Sequence, residues 1–113
     1  MTERADKLRQ ELRRGAIVIA VLAALRAEHY GYSLRHALAE RGIEVEEGTL
    51  YPLVRRLEQQ GLLASEWREE NKRRKRFYRL APAGEATLER LLDDWRTLNL
   101  GLEQIIGNER RRS

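Results

Sequence analysis

A predicted helix that runs directly into two predicted strands is the feature that most constrains this chain, and it occupies residues 47–80. Apolar side chains at the spacing i, i+3, i+4 and i+7 mark the helix, which has one buried face. These side chains are Leu50, Leu53, Val54 and Leu57. Gly61 ends the helical pattern, and two β-compatible runs follow at residues 62–68 and 76–80. The segment therefore predicts a helix beside an antiparallel strand pair, an arrangement that can read DNA.

The face of this helix opposite the apolar positions is polar and cationic. Hydroxyl and guanidinium groups can donate hydrogen bonds to phosphates or base edges, so we predict DNA contacts there. The predicted contacts are Thr49, Tyr51, Pro52, Arg55 and Arg56. Because Pro52 has no amide hydrogen, the helix should either start near Gly48 or be kinked at the proline. The competing interpretation is a helix start with a half-buried tyrosine and a solvated face, on which Arg55 pairs with Glu58.

The two strands are separated by residues 69–75, which are strongly charged. Five consecutive basic residues end this stretch and begin the second strand: Lys72, Arg73, Arg74, Lys75 and Arg76. Like charges this close repel one another, and a polyanion would relieve that repulsion. The pattern predicts a hairpin with a cationic loop, here called the wing, that contacts DNA. Charge that served only to solubilise the protein would not need to be confined to one turn.

Length and charge narrow the choice of partner. A chain of 113 residues can form one domain with a real core but has no room for a separate ligand-binding domain. Its net charge of +4 and pI near 9.8 suit nucleic acid, and its 18 acidic residues show that the positive charge is local. No apolar run is long enough to cross a membrane and no signal peptide is visible, so we expect a soluble cytoplasmic protein without a membrane partner.

The sequence lacks the patterns of catalytic and metal sites. It has no cysteine for a thiolate site, and His29, His36 and the nearby Glu40 match no zinc signature. Ser33 and Ser65 have no histidine base in an adjacent motif, and no glycine loop could cradle a phosphate. We therefore expect no enzyme activity, no metal and no cofactor.

Three further segments precede the predicted DNA-contacting helix, here called the reading helix. Residues 2–14 are highly charged, and Leu8 and Leu12 indicate a short amphipathic helix there. After Gly15, ten apolar residues at 16–25 are too few to span a bilayer and predict a helix buried on most sides. Residues 31–40 predict a second core helix that turns Leu34 and Leu38 inward and stops at residues 41–42.

The last predicted helix, after Pro82, carries a heptad pattern. Its apolar residues are spaced three, four, three, four and three apart: Leu88, Leu91, Trp95, Leu98, Leu102 and Ile105. This apolar surface is more than a lone terminal helix could leave in water, so a partner helix is required and a homodimer is the simplest source. Gly101 lies within the seam and costs roughly 1 kcal/mol relative to alanine, so a bend or an early end is open there.

Taken in order, several short motifs resemble the PadR family of prokaryotic transcriptional regulators. They are Tyr30-Gly31-Tyr32, Glu47-Gly48-Thr49-Leu50-Tyr51-Pro52, Arg56-Leu57-Glu58, Gly61-Leu62-Leu63, Ser65-Glu66-Trp67 and the run from Arg74 to Leu80. The resemblance covers roughly residues 12–106. It implies a mainly α fold with a small β-hairpin: a winged helix-turn-helix plus a C-terminal dimerisation helix, as in the subfamily with a single such helix. It also implies a repressor on dyad-symmetric operators and a small effector, for which Trp95 would line a pocket between the C-terminal helices. An ordinary core role for Trp95 is the alternative.

The resemblance divides the chain into a DNA-binding part at residues 1–81 and a dimerisation helix with a basic tail at residues 82–113, together forming one compact domain. Three residues depart from the family pattern. Glu46 and Ala81 stand where helix-capping hydroxyls are common, and such caps are worth about 1 kcal/mol each. Lys72 occupies a wing position often held by glycine, which puts the shape of the wing tip in question.

Together these features predict a sequence-specific DNA-binding regulator that acts as a homodimer on double-stranded DNA, with a small hydrophobic effector as a further partner. An alternative from another class is a winged helix that docks an acidic protein through its basic face, because fold alone does not determine function. Sequence preference for one duplex separates the two interpretations.

Overall fold

The computed structural model describes the backbone of residues 2–112 and the side chains of residues 2–107. Within that range the chain forms four helices and a three-stranded antiparallel sheet, which confirms the predicted fold class. In chain order the elements are α1 (Glu3–Ala24), β1 (His29–Tyr30), α2 (Gly31–Glu40), α3 (Glu47–Gln59), β2 (Leu63–Glu70), β3 (Arg73–Leu80) and α4 (Pro82–Arg112). No helix among the described residues is long and apolar enough to cross a membrane.

The first helix corrects one sequence expectation. The segments predicted separately at residues 2–14 and 16–25 belong to the single helix α1 and its two caps, Thr2 and Leu25, and the helix continues through Gly15. A glycine inside a helix costs only about 1 kcal/mol, and its neighbours on both sides favour the helix. Thr2 caps the start, because its Oγ1 accepts a hydrogen bond from the amide of Ala5 at 3.2 Å. Burial is confined to the second half of α1, where Val21 and Leu22 are inaccessible to water.

The core lies where α1, α2 and α3 meet the root of the sheet and the first turns of α4. Its buried side chains are Val21, Leu22, Leu25, Leu34, Leu38, Val45, Leu50, Leu53, Val54, Leu57, Leu63 and Leu88. The four leucine and valine positions predicted to face inward from α3 all belong to it. At roughly 25 cal/mol for each Å² of apolar surface removed from water, this cluster is the main stabilising contribution to the fold.

The reading helix α3 begins one residue before Gly48. Glu46 occupies its N-cap position without a side-chain capping bond, as expected from its departure from the family pattern. Pro52 therefore lies in the second turn rather than the first, where it cannot donate the bond that the carbonyl of Gly48 would otherwise accept. The helix nevertheless continues to Gln59, because its apolar face is fully packed.

The hairpin has a shorter loop than the sequence predicted. β2 and β3 pair without interruption up to Glu70 and Arg73, so only Asn71 and Lys72 form the turn. Both have positive φ angles, 52° and 64°, as the tight turns that match strand twist require. The expected loop at residues 69–75 is thus wrong: the cations from Arg73 onward lie on a strand, where acidic residues across the ladder offset their repulsion.

A third strand, β1, was not predicted. Its two residues pair with the inner half of β3, Tyr30 with Phe77 and His29 with Tyr78. Two residues are too short a run to show a β-period in the sequence. The consequence is that the hairpin is three-stranded at its root and two-stranded from Arg76 outward.

The last helix, α4, starts directly after β3 and continues through Gly101 without a break, so an early end there is wrong. The backbone anchors its base, since the amide of Ala81 donates to the carbonyl of Leu62 at 3.0 Å and that of Leu80 to the carbonyl of Leu25 at 2.7 Å. The predicted basic tail, Arg110 to Arg112, lies outside the described side chains.

Candidate nucleic-acid interface

The reading helix turns a polar face to solvent. Thr49, Pro52, Arg55 and Arg56 are exposed, whereas Tyr51 is half-buried. These five predicted contact residues therefore lie on one accessible side of α3, opposite its buried leucines. The Arg55–Glu58 pair of the competing interpretation is not formed, because Glu58 bonds instead to residues of the hairpin.

Tyr51 leans against the start of α2. A Cβ at Gly31 would lie 3.0 Å from Cε1 of Tyr51 and 3.3 Å from its hydroxyl oxygen. Any larger residue at position 31 would therefore push the Tyr51 ring out of its present position. One side of the tyrosine is thus braced by the first helix of the helix-turn-helix, while the other faces the wing. The sequence indicated a half-buried aromatic, but not what supports it.

Two depressions flank the exposed face of α3. On the wing side, Tyr51 and Arg55 line a cavity of about 310 Å³ together with Trp67 and Lys75, and no acidic residue lines it. On the other side, Thr49, Pro52 and Arg56 line a groove of about 820 Å³ whose far wall is α1, including Arg13 and Arg14. Reading helix and wing are therefore parts of one continuous surface. The groove beside it brings Arg13 and Arg14 of α1 together with Glu44 and Glu46, an arrangement that the sequence did not indicate.

The five cations predicted for the wing divide into two groups. Lys72, Arg73 and Arg74 are exposed near the tip. Lys75 is only 20% exposed in its side chain; its Nζ lies 4.2 Å from the centre of the Tyr30 ring and 3.3 Å from the Glu70 carboxylate. Arg76, also half-buried, lies 2.8 Å from a carboxylate oxygen of Glu58 on α3.

Acidic residues on β2 balance much of the wing's charge. Glu69 and Glu70 face Arg74 and Arg73 across the ladder. At the root, Arg68 pairs with Glu28 and places its guanidinium 3.9 Å from the centre of the Phe77 ring. Three exposed cations, Lys72, Arg73 and Arg74, against Glu69 and Glu70 leave the tip of the hairpin with a small net positive charge.

Tyr78 adds a neutral donor close to the reading helix. Burial raises the pKa of its phenol above the ordinary value of 10.0, and the nearby Arg76 opposes this shift only in part. The hydroxyl therefore keeps its proton at physiological pH, and it lies beside the cavity that α3 shares with the wing.

The predicted dimerisation residues of α4 also divide into two groups. Leu88 is fully buried in the core of its own chain and Leu91 is half-buried against it. The rest of the seam is exposed by about half or more of each residue: Trp95, Leu98, Leu102 and Ile105. The exposed Ile106 lies beside the seam, whereas the exposed Leu100 lies on the opposite face of α4. Leu8 and Leu12 on the first half of α1 are exposed to a similar degree. The exposed seam residues of α4 form an apolar strip that has no cover within the described chain.

The histidines make local contacts. His36 lies 3.4 Å from the Glu40 carboxylate, and Nδ1 of His29 lies 3.0 Å from the hydroxyl of Ser33. Among the residues that the structure describes, no group of three histidine, cysteine, aspartate or glutamate side chains could hold a metal ion.

Comparison with known proteins finds relatives in a single family of transcriptional regulators. The model of the transcriptional regulator PadR-like family matches residues 18–90. The chain is 38% identical over 101 residues to the transcriptional regulator Rv3488 of Mycobacterium tuberculosis, spanning 88% of this chain and 92% of the relative. A crystal structure of a PadR family regulator from Eggerthella lenta is 41% identical, with a TM-score of 0.84 over 92% of this chain and 93% of that one. A PadR family regulator from Clostridium difficile is 27% identical, with a TM-score of 0.74 over 80% and 97%.

Proposed function

This chain belongs to the PadR-like family of transcriptional regulators, and from that membership we propose that it represses transcription as a homodimer bound to a dyad-symmetric DNA operator. The family consists of regulators rather than enzymes, in agreement with the lack of a catalytic pattern in the sequence. We place its action in the cytoplasm, where a prokaryotic operator would lie.

The observation that carries the proposal is the continuous surface of reading helix and wing. Tyr51 and Arg55 on α3 share one cavity with Trp67 and Lys75 on the hairpin, so a duplex entered by α3 would run alongside the wing. In this arrangement the start of α3 reads base edges in the major groove. The exposed tip cations Lys72, Arg73 and Arg74 contact the flanking phosphates, and Thr49, Pro52 and Arg56 complete the reading face.

The exposed strip on α4 supports the homodimer. A second copy would cover Leu98, Leu102 and Ile105 with the same side chains, as the self-complementary interface of a two-fold dimer requires. Two reading helices would then enter successive major grooves about 34 Å apart. Bound across a promoter, such a dimer would block access of the polymerase.

The test is a binding titration with two duplexes of equal length, one from the upstream region of the protein's own gene and one of random sequence, across a salt series. We expect a preference of about three orders of magnitude or more for the upstream duplex. The slope of log K against log salt should be near −7 if the dimer neutralises about eight phosphates. Equally weak binding to both duplexes would favour the protein-docking alternative.

We further propose that a small, planar hydrophobic effector binds beside Trp95 and releases the DNA by altering the distance between the two reading helices. In support, the Trp95 indole is 49% exposed in the single chain and lies within the strip that a partner would cover, where an aromatic ring can leave room for a ligand. Trp67 is the second tryptophan, so indole fluorescence should be followed in a Trp67→Phe background. An indole signal that ignores a panel of planar hydrophobic cations which relieve DNA binding would contradict this site.

A further inference from the structure

Three residues from separate elements meet where the wing joins the reading helix. Nη2 of Arg76 on β3 donates to Oε1 of Glu58 on α3 at 2.8 Å, and its Nε donates to Oγ of Ser65 on β2 at 3.0 Å. The hydroxyl of Ser65 in turn donates to Oε2 of Glu58. These bonds close a triangle in which every member contacts both others, so the hairpin and the reading helix are joined at one point.

The guanidinium of Arg76 is also held between two rings. Its central carbon lies 5.6 Å from the centre of the Trp67 ring and 5.5 Å from that of Tyr78. Only 36% of the Arg76 side chain and 23% of the Glu58 side chain are exposed. The charge of Arg76 is thus already neutralised by a half-buried carboxylate, and a phosphate would have to displace it.

The tip of the wing needs the support of the Arg76–Glu58–Ser65 triangle, here called the brace. β1 pairs only with Phe77 and Tyr78, so from Arg76 outward the hairpin is a two-stranded ribbon. Isolated two-stranded ribbons are marginally stable in water. The proposed phosphate contacts Lys72 and Arg73 lie on this ribbon, and within residues 2–107 neither forms an ion pair.

We propose that Arg76 is not a DNA contact but a positioning residue, which with Glu58 and Ser65 sets the angle of the wing against the reading helix. This inference rests on the proposed function and revises the role predicted for Arg76 from the basic run alone. Wing and reading helix then engage one duplex together because their relative orientation exists before binding, so the ribbon does not have to be ordered at that moment.

Charge alone and a positioning role for Arg76 predict opposite effects of Glu58→Gln on DNA binding. Glu58→Gln removes a negative charge close to the proposed DNA surface, which by charge alone should strengthen binding to a polyanion. If Glu58 and Arg76 hold the wing, the same change should weaken binding instead, by about five- to tenfold, as should Arg76→Gln. Because the two residues act through one bond, the double variant should be no weaker than either single variant.

The experiment compares Glu58→Gln, Arg76→Gln and the double variant with Glu69→Gln, a matched control. Glu69 is an acid on the same hairpin that faces Arg74 across the ladder, two residues nearer the tip than the pair of Trp67 and Arg76. Binding to a random-sequence duplex and to the duplex from the protein's own upstream region is measured across a salt series. The control should bind as tightly as the wild type or more tightly. Tighter binding by Glu58→Gln would overturn the proposal.

The salt slope supplies a second readout. Loss of Arg76 should lower the affinity without changing the slope, since no phosphate contact is lost, whereas loss of a direct contact reduces the slope by about 0.9 per subunit. A reduced slope for Arg76→Gln would show that Arg76 contacts phosphate and would contradict the inference.

Amide hydrogen exchange of the free protein tests the brace without DNA. The amides of the ribbon should exchange faster in Glu58→Gln and Arg76→Gln than in the wild type, while those of the core helices should be unchanged, which also shows that the variants fold. Unchanged exchange in the ribbon would overturn the proposal. If the wild type prefers neither duplex while the exchange pattern is as expected, the proposed DNA-binding function is contradicted. The role of Arg76, Glu58 and Ser65 in holding the ribbon is then still supported.

Discussion

Gly84 lies directly against the backbone of Leu62, so closely that a Cβ on Gly84 would be 2.0 Å from the carbonyl oxygen of Leu62. The same carbonyl accepts the hydrogen bond from the amide of Ala81. The first turn of α4 is therefore seated on the residue that precedes β2, with no space between them. Any movement of α4 must move the root of the wing with it.

Replacing Gly84 by alanine should destabilise the protein. The new methyl group would meet backbone rather than a flexible side chain, and such overpacking costs about 1 to 3 kcal/mol. Gly15→Ala is the matched control, because a Cβ there meets nothing within 4 Å and alanine should stabilise α1 by about 0.5 to 1 kcal/mol. Denaturant unfolding measures both changes. Equal effects of the two variants would contradict the close packing of Gly84 against the backbone of Leu62.

The wing tip should be more stable with glycine at position 72. Lys72 has a φ of 64°, a conformation that strains residues with a Cβ. We expect Lys72→Gly to raise the free energy of unfolding by about 0.5 to 1 kcal/mol while weakening DNA binding, because one proposed phosphate contact is removed. Arg73→Gly, which lies in β3, should instead lower stability. Thermal unfolding and a DNA titration on the same samples would distinguish the two effects.

Removing an exposed tip cation should weaken binding to all duplexes alike. Arg73→Ala or Arg74→Ala should reduce the magnitude of the salt slope by about 0.9 for each lost phosphate contact, hence by about 1.8 per dimer. The control is Arg90→Ala, an exposed cation on α4 that belongs to neither the reading helix nor the wing. A slope that changes equally in the control would mean that general charge, and not the tip, governs binding.

The ion pair between Arg26 and Glu85 should appear in the acid part of the stability profile. Arg26, which follows the end of α1, donates three hydrogen bonds to this carboxylate in the first turn of α4, at 2.7, 3.0 and 3.2 Å, and these bonds lower the pKa of Glu85 below its ordinary value. A lowered folded-state pKa means that the stabilisation is present above the ordinary pKa of glutamate and is lost as the pH falls through the lowered value.

Glu85→Gln should therefore lower the stability at neutral and alkaline pH and flatten the acid part of the profile, so that its difference from the wild type disappears at low pH. Unfolding measured between pH 7 and acid pH tests this, with Glu44→Gln as a control whose side chain is exposed. A profile for Glu85→Gln that falls as steeply as that of the wild type would contradict the assignment.

The proposed dimer should depend on the outer part of α4. Leu98 is 66% exposed, and an aspartate there would place a charge in the seam of both subunits. Loss of two buried leucines should raise the dissociation constant of the dimer by about a hundredfold or more. Thr97→Asp adds the same charge at the neighbouring exposed position and serves as the control. Sedimentation equilibrium reports the oligomeric state, and a dimer that survives Leu98→Asp but not Thr97→Asp would shift the interface to another face.

Much of the fold follows from local periodicity. The apolar spacing of α3 predicts its inward face, and Leu34 and Leu38 are buried as their spacing indicates. In contrast, β1 and the length of the hairpin loop could not be predicted. A two-residue strand exists only because β3 lies beside it, and Arg73 joins a strand only because Glu70 faces it across the ladder.

The sequence by itself determined the helices, the hairpin, the family and the residue types of a DNA-reading surface, because periodicity, turn residues and charge runs are local properties of the chain. Only the tertiary structure decided what each of those residues does. It buried Leu88 in the core of its own chain, left Leu98 exposed, and placed Arg76 against Glu58 while Arg73 faces solvent. Neighbouring residues of the same type receive different roles because their partners come from elements distant in sequence, and no local pattern records which element will be near.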